Sequence, residues 1–527
     1  MSATVRPAAR RRREGALPFL LLALAACAGV GRGPASSGPA TPAPVIALTV
    51  PPGDRSRVPL PTSAPALRLP QQRHFALSNG LKVRLVEVHK LPILSLYLVV
   101  DAGAIHDPAE APGLASLTAA MMTEGTARRS AIQISDDLGA IGATLQAGAG
   151  FDSASLSGSV LSAHLDELLA LFADVLVEPS FPPGDFARVQ DQRLVTLLEQ
   201  RDQPGVVAAK AFQKLYWGDH PYGHWPMGTG ASLRALRRED LVRFHALRWR
   251  PRGSELVVVG DVSFEALLAK LEKALAGWTG AVPPTPAAVE KRAPGQRALL
   301  IPKSGPAPQA FVLMGMPGFA RSSKDFVPGE VALQILGGGS ASRLFRELRE
   351  KQGYTYGIYA RAEARRLGGT SLIVGSVRTE VAGAATRALL EQIALLRREK
   401  VPEEELTVAR HALLLSLPAE FATTLGIAGK LGEEVVYGLP DGYWDEYAAE
   451  VARVSAEDVE RVAKAYLDPD ALTTVMVCDP AAVRPQLEGL PLGDIEVARG
   501  SEPEDTAQAP SPPGQVAGGS SGGRGRN

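Results

Sequence analysis

The chain has 527 residues, 45% hydrophobic and 21% charged, so it can bury sizeable cores and is long enough for two or three domains. Lys plus Arg equals Asp plus Glu at 56 each, so no net field favours nucleic acid or an acidic surface, and nucleic-acid binding is not expected as the main role.

At the N-terminus Arg10 to Arg13 precede an apolar run over 16–26 that ends at Cys27, the architecture of an export signal. The run falls short of the roughly 20 residues that a membrane-spanning helix needs. Leu24-Ala25-Ala26-Cys27 resembles the bacterial lipobox, in which the Cys becomes the lipidated first residue of the mature protein. An ordinary cleaved signal is the alternative, since Ala23-Leu24-Ala25 also fits a small-x-small site. Lipidation at Cys27 implies an exported protein held to the membrane by its lipid. Ala28 after the Cys, rather than Asp, suits the periplasmic face of the outer membrane in a Gram-negative host. The other cysteine, Cys478, is then left without a disulfide partner and is expected as a buried thiol in a strand.

Residues 28–70 are dominated by Gly, Pro, Ala and Ser and are expected to form a flexible tether after the signal at 1–27. The tail at 496–527 has the same character and is expected to be disordered. Its Gly518-Gly519-Ser520-Ser521-Gly522 matches a serine-hydrolase elbow in letters, but no strand or helix pattern flanks it. A Pro- and Ala-rich break gives a linker at 282–296 and divides the globular part into domains at 71–281 and 297–495.

The first domain opens with β-rich runs at 83–86 and 94–100 after the turn signal Ser78-Asn79-Gly80, followed by helical patterns at 113–123 and 186–201. The second repeats this order. Gly158-Ser159-Val160 has its counterpart in Gly375-Ser376-Val377, Pro182 in Pro402, and Asp240 and Asp261 recur 218 residues on as Asp458 and Asp479. A constant order at a constant offset indicates duplication of one unit. Runs of strands followed by runs of helices predict an α+β fold of two tandem homologous domains, each a sheet packed with helices.

Specific residues over about 75–480 resemble the insulinase, or pitrilysin, family of zinc peptidases. The stretch from Phe75 through Ser78-Asn79-Gly80 to Val83 is similar to that family's opening hairpin. Asp101-Ala102-Gly103, Gly113-Leu114-Ala115 and Glu124-Gly125-Thr126 match the frame of its metal helix. His220-Pro221-Tyr222-Gly223 matches a family loop, and Leu336-Gly337-Gly338-Gly339 with Ser342-Arg343-Leu344-Phe345 resembles the core of its second domain.

In catalytic members the framed helix carries H-x-x-E-H, two zinc-binding His and a Glu that activates water, and a Glu from the following long helix completes the site. The resemblance places Ser116, Ala119, Ala120 and Thr196 at these four positions, and none supplies the missing chemistry. Glu199, one turn beyond Thr196, reads as a solvated helix face. His220 and His224 have ligand spacing, but Pro221 and Gly223 argue for a loop. No cofactor is therefore expected in this chain, and zinc is expected in a partner subunit. An Arg and a Tyr seven residues later reach the substrate in catalytic relatives, and Arg349 and Tyr356 match them. Residues 341–351 read as a helix supported by a Glu347–Lys351 pair and ended by Gly353, with Tyr354, Tyr356 and Ile358 then on one side of a strand.

The resemblance thus implies a non-catalytic subunit that lends Arg349 and Tyr356 to a zinc-bearing relative acting on peptides in the cell envelope. The alternatives are a structural or assembly subunit of an envelope complex and a stand-alone peptide-binding lipoprotein.

Overall fold

A computed structural model describes residues 69–284 and 295–499. The export signal, Cys27, the tether as far as residue 68, most of the linker and the tail beyond residue 499 lie outside the described residues.

The first half runs β1 (Gln72–Ala76), β2 (Lys82–Glu87), β3 (Ile93–Val100), α1 (Leu114–Met121), α2 (Ala131–Ala140), β4 (Thr144–Ala149), β5 (Ala154–Leu161), α3 (Leu165–Val177), α4 (Pro183–Gln200), α5 (Pro204–Trp217), α6 (Gly230–Ala235), α7 (Arg238–Arg248), β6 (Glu255–Gly260) and α8 (Phe264–Ala274). The second half runs β7 (Arg297–Pro302), β8 (Gln309–Pro317), α9 (Phe326–Gly337), a π-helix (Phe345–Lys351), β9 (Thr355–Arg365), β10 (Gly368–Arg378), α10 (Ala382–Arg398), α11 (Glu403–Glu420), α12 (Thr424–Tyr437), α13 (Tyr443–Arg453), α14 (Ala456–Tyr466), β11 (Thr473–Cys478), α15 (Pro480–Leu487) and β12 (Asp494–Val497). From β2 and β7 onward the halves match element for element, with the π-helix standing where α2 stands in the first half.

Each half forms a six-stranded sheet, in the orders β1-β2-β6-β3-β5-β4 and β12-β7-β11-β8-β10-β9. Five strands correspond, and the sixth is added differently. β1 pairs antiparallel with β2 as a hairpin, whereas β12 pairs parallel with β7. The hairpin turn is fixed by Gly80, at φ +87°, and by Asn79, whose Oδ1 accepts from Leu81 N at 3.0 Å. β12 carries the second sheet two residues past the expected boundary at 495.

Each sheet has one face covered by helices of its own half and the other by a single helix of the opposite half. α12 lies on β3 and β6, packing Ile427, Ala428 and Leu431 into a core that holds Val86, Val257 and Val259 of the first sheet. α5 lies on β8 and β11, packing Val207, Ala208 and Phe212 against Leu313, Val475 and Val477. Glycines let these surfaces meet. A Cβ at Gly315 would lie 2.1 Å from the Phe212 ring, and one at Gly432 would lie 2.6 Å from the Tyr97 ring. Burial on both faces explains why β6 and β11 read as continuous apolar runs and not as alternating ones. Cys478 ends β11 fully buried, and that burial pushes its thiol up to about 12.

Candidate functional site

The first framework is a helix end built to be held rigidly. Gly113 precedes α1 in the left-handed region, at φ +99°, where a side chain would also meet Met227 O at 2.7 Å. Asp107 caps the helix from the preceding loop, accepting from Gly113 N and Ala115 N at 2.8 Å each. At the far end Glu124 pairs with Arg188 of α4, while Thr126 Oγ1 accepts from Arg129 N at 3.0 Å. His224 Nε2 lies 3.3 Å from Asp107 Oδ2 and His220 Nδ1 accepts from Tyr222 N at 3.0 Å, so both His sit in a loop with protein partners. Tyr222 is fully buried and bonds Asp152, and its hydroxyl accepts from Leu367 N at 3.0 Å. The His-Pro-Tyr-Gly loop thus ties the β9–β10 turn of the second half to the first.

On α1 itself, Ala119 is fully buried, and Ser116 and Ala120 are half-buried. Ser116 Oγ accepts from Arg193 Nη1 at 2.6 Å, and Arg193 Nη2 donates to Ser116 O at 2.9 Å. Arg193 comes from α4, one turn before Thr196. Burial holds its guanidinium below the ordinary arginine value, and no carboxylate pairs with it among the described residues. Thr196 turns back on its own helix, donating to Gln192 O at 3.1 Å, and Glu199 is exposed.

The second group lies in the other half. Arg349 is stacked between two rings, its guanidinium carbon 4.6 Å from the centroids of both Phe345 and Tyr356. The elements presenting it differ from the sequence expectation. Residues 345–351 are wound as a π-helix, with Gln352 N bonded to Glu347 O at 3.1 Å, although the Glu347–Lys351 pair forms at 2.9 Å and Gly353 follows at φ +63°. Tyr356 and Ile358 do not share a side. The register of β9 against β10 jumps from Gly357 to Thr355, which makes Tyr356 the extra residue of a β-bulge. Thr355 Oγ1 holds the bulge by accepting from Gly357 N at 3.0 Å and donating to the chain around it. Tyr356 is consequently 82% exposed while Ile358 is fully buried.

A family model described as Insulinase (Peptidase family M16) matches residues 82–227, and one described as Peptidase M16 inactive domain matches residues 235–413. The chain belongs to the insulinase family. It is a non-catalytic member, without the H-x-x-E-H motif. It is similar to an uncharacterized zinc protease of Mycobacterium tuberculosis, 25% identical over 395 residues that make up 74% of this chain and 90% of that one. It is also similar to a non-peptidase homolog of Helicobacter pylori, 24% identical over 408 residues, 76% of this chain and 92% of the relative. Among solved structures, the peptidase M16 inactive domain from Pseudomonas fluorescens superposes with a TM-score of 0.72 at 29% identity, over 77% of this chain and 98% of that one.

The side chains of this insulinase-family chain do not fit the zinc ion of catalytic members. Zinc takes imidazole, thiolate or carboxylate donors, whereas of the four positions that the sequence resemblance points to, two are hydroxyls, one of them already bonded to a guanidinium, and two are methyl groups. A guanidinium at the same place would repel a dication. Among the described residues no group of three or more His, Cys, Asp or Glu is arranged to hold a metal elsewhere. Sequence reasoning did not identify Arg193. The helical repeat carries the signal for it, because residue 193 precedes 196 by one turn of α4 and so shares its face.

Proposed function

We propose that this chain is the non-catalytic subunit of a divided peptidase, lending Arg349 and Tyr356 to a zinc-bearing relative while its own first half supplies no chemistry. The observation that carries the reading is the way the second half presents this pair. A π-helix and a β-bulge both cost regular hydrogen bonds, and both are used where a side chain has to be aimed. Together they put a guanidinium and a phenol side by side at the surface, where their N–H and O–H groups can donate to a peptide carbonyl and to the oxyanion formed when water attacks it. A purely structural pair has no need of an aromatic ring left 82% exposed.

The test is co-purification with an H-x-x-E-H-bearing relative from the same organism, followed by peptide turnover with substituted chains. Arg349→Ala is expected to lower kcat/KM by about a hundredfold, in the range for losing one oxyanion donor, and Tyr356→Phe by about tenfold, as for losing one hydrogen bond to substrate. Melting temperature should change little for Tyr356→Phe. Wild-type turnover in both variants would contradict the shared site.

The lipobox-like Leu24-Ala25-Ala26-Cys27 supports attachment by lipid to the periplasmic face of the outer membrane. Metabolic labelling with an alkynyl fatty acid should mark the wild type and not Cys27→Ala. Equal labelling of the two, or none of either, contradicts the anchor.

A further inference from the structure

The face of α1 from which the metal ligands have been lost carries two groups that point to a ligand of their own. Arg193 brings five N–H donors and has placed two, both on Ser116. The Ser116 hydroxyl accepts one of them, so its own proton remains to be donated, and no acceptor for it occurs among the described residues. The cluster therefore holds spare donors and a positive charge that no carboxylate pairs with among the described residues. Ala120 beside it offers no side-chain polar atom, and Ser116, Ala120, Arg193 and Thr196 are all half-buried, so the face is open to a chain-like ligand. A cation held there without a counter-charge is destabilised by its surroundings, and an anion that joins it relieves that cost. A carboxylate is an acceptor-only group of matching planar geometry, able to take two parallel N–H donors from a guanidinium.

We propose that Arg193 and Ser116 form a carboxylate-binding site on the α1–α4 face, and that its ligand is a carboxylate of a bound peptide. The site belongs to the isolated chain. It rests on the reading above only in taking the ligand to be a peptide, and it needs neither the partner nor Arg349, so the two proposals fail separately. A fixed organic cation would here take the place that a metal dication holds in catalytic members of the family. There a metal and a general base meet a scissile carbonyl, whereas here a fixed cation with hydroxyl support grips a charged group and leaves every bond intact.

The carboxylate can come from a peptide C-terminus or from an acidic side chain, and three probes separate these sources. Hexa-alanine carrying an uncharged nitrobenzoxadiazole dye and a free C-terminus, the same peptide amidated, and an amidated version with a central Glu are titrated with the full chain and followed by anisotropy without any partner. At least one of the two acidic probes is expected to bind about tenfold or more tighter than the neutral amide, and to lose that advantage in Arg193→Gln, as for a charge-assisted pair. Preference for the free C-terminus identifies terminal recognition, and preference for the central Glu identifies side-chain recognition. Arg193→Lys, which keeps the charge but not the fork, should fall between wild type and Arg193→Gln. If Arg193→Gln does not fold, Ser116→Ala carries the same comparison, with about a threefold loss expected from one missing hydroxyl donor. Equal affinity for all three probes, no binding of any, or acidic-peptide binding unchanged by these substitutions overturns the proposal.

Discussion

Arg84 and Glu434 meet where the two halves join, and both are buried, at 5% and 1% exposure. Arg84 sits on β2 and also holds Glu255 at 3.0 Å and Gln72 at 3.1 Å, whereas Glu434 comes from α12 and its Oε1 has no hydrogen-bond partner. Burial dominates for the acid and lifts its carboxyl from 4.5 to about 7, against the pull of Arg84. Because the folded value lies above the unfolded one, the contribution to stability is full below about pH 4.5. It is lost as pH rises through about 7, since the unfolded chain ionises first. Glu434→Gln should remove this component, on the order of 3 kcal/mol, and flatten the stability profile between those limits. Urea midpoints taken across the range measure it, and identical slopes for wild type and variant would refute the assignment. At this scale the sequence was legible where a backbone requirement is written in one letter, as with Gly113, Gly80 and Gly353. It was not legible where a contact depends on two distant helices. Ser116 was placed by its frame, and the helical repeat puts residue 193 on the face of 196, but that Arg193 meets Ser116 follows only from how α4 lies over α1.

The elements show a similar division. Strands and helices whose periodicity is regular were readable, and the repeated order with its fixed offset foretold two like domains. Two kinds of feature were not readable. Irregular windings such as the π-helix at 345–351 and the bulge at Tyr356 leave no period in the sequence, because each inserts a residue without altering composition. The exchange of α5 and α12 is invisible for another reason. An amphipathic helix records that it has an apolar face and not which sheet receives it. The exchange can be tested at Gly315, which leaves room on β8 for Phe212 of α5. Gly315→Ala should cost about 1–3 kcal/mol by overpacking, and adding Phe212→Leu should recover part of that. Strictly additive effects of the two substitutions on unfolding free energy, within about 0.5 kcal/mol, would show that the two sites do not touch.

For the molecule as a whole, the reciprocal helices make the two halves one body. Each sheet depends on the other half for its second face, and the polar joint of Tyr222, Asp152 and Arg366 fastens the β9–β10 turn onto the first half. Arg366 reaches Asp101 at 2.8 Å and Asp152 O at 2.7 Å. The chain has thus kept the architecture of an insulinase-family peptidase while its metal face has become a guanidinium–hydroxyl face. The divided site proposed above asks of this chain a stable scaffold that presents Arg349 and Tyr356. The most direct measurement is turnover of a fluorogenic peptide by a purified zinc-bearing relative as this chain is titrated in. This chain alone should show no turnover, and the relative's rate should rise and saturate at a fixed ratio of the two. Turnover by this chain alone, or a rate that does not respond to its addition, would contradict the divided site.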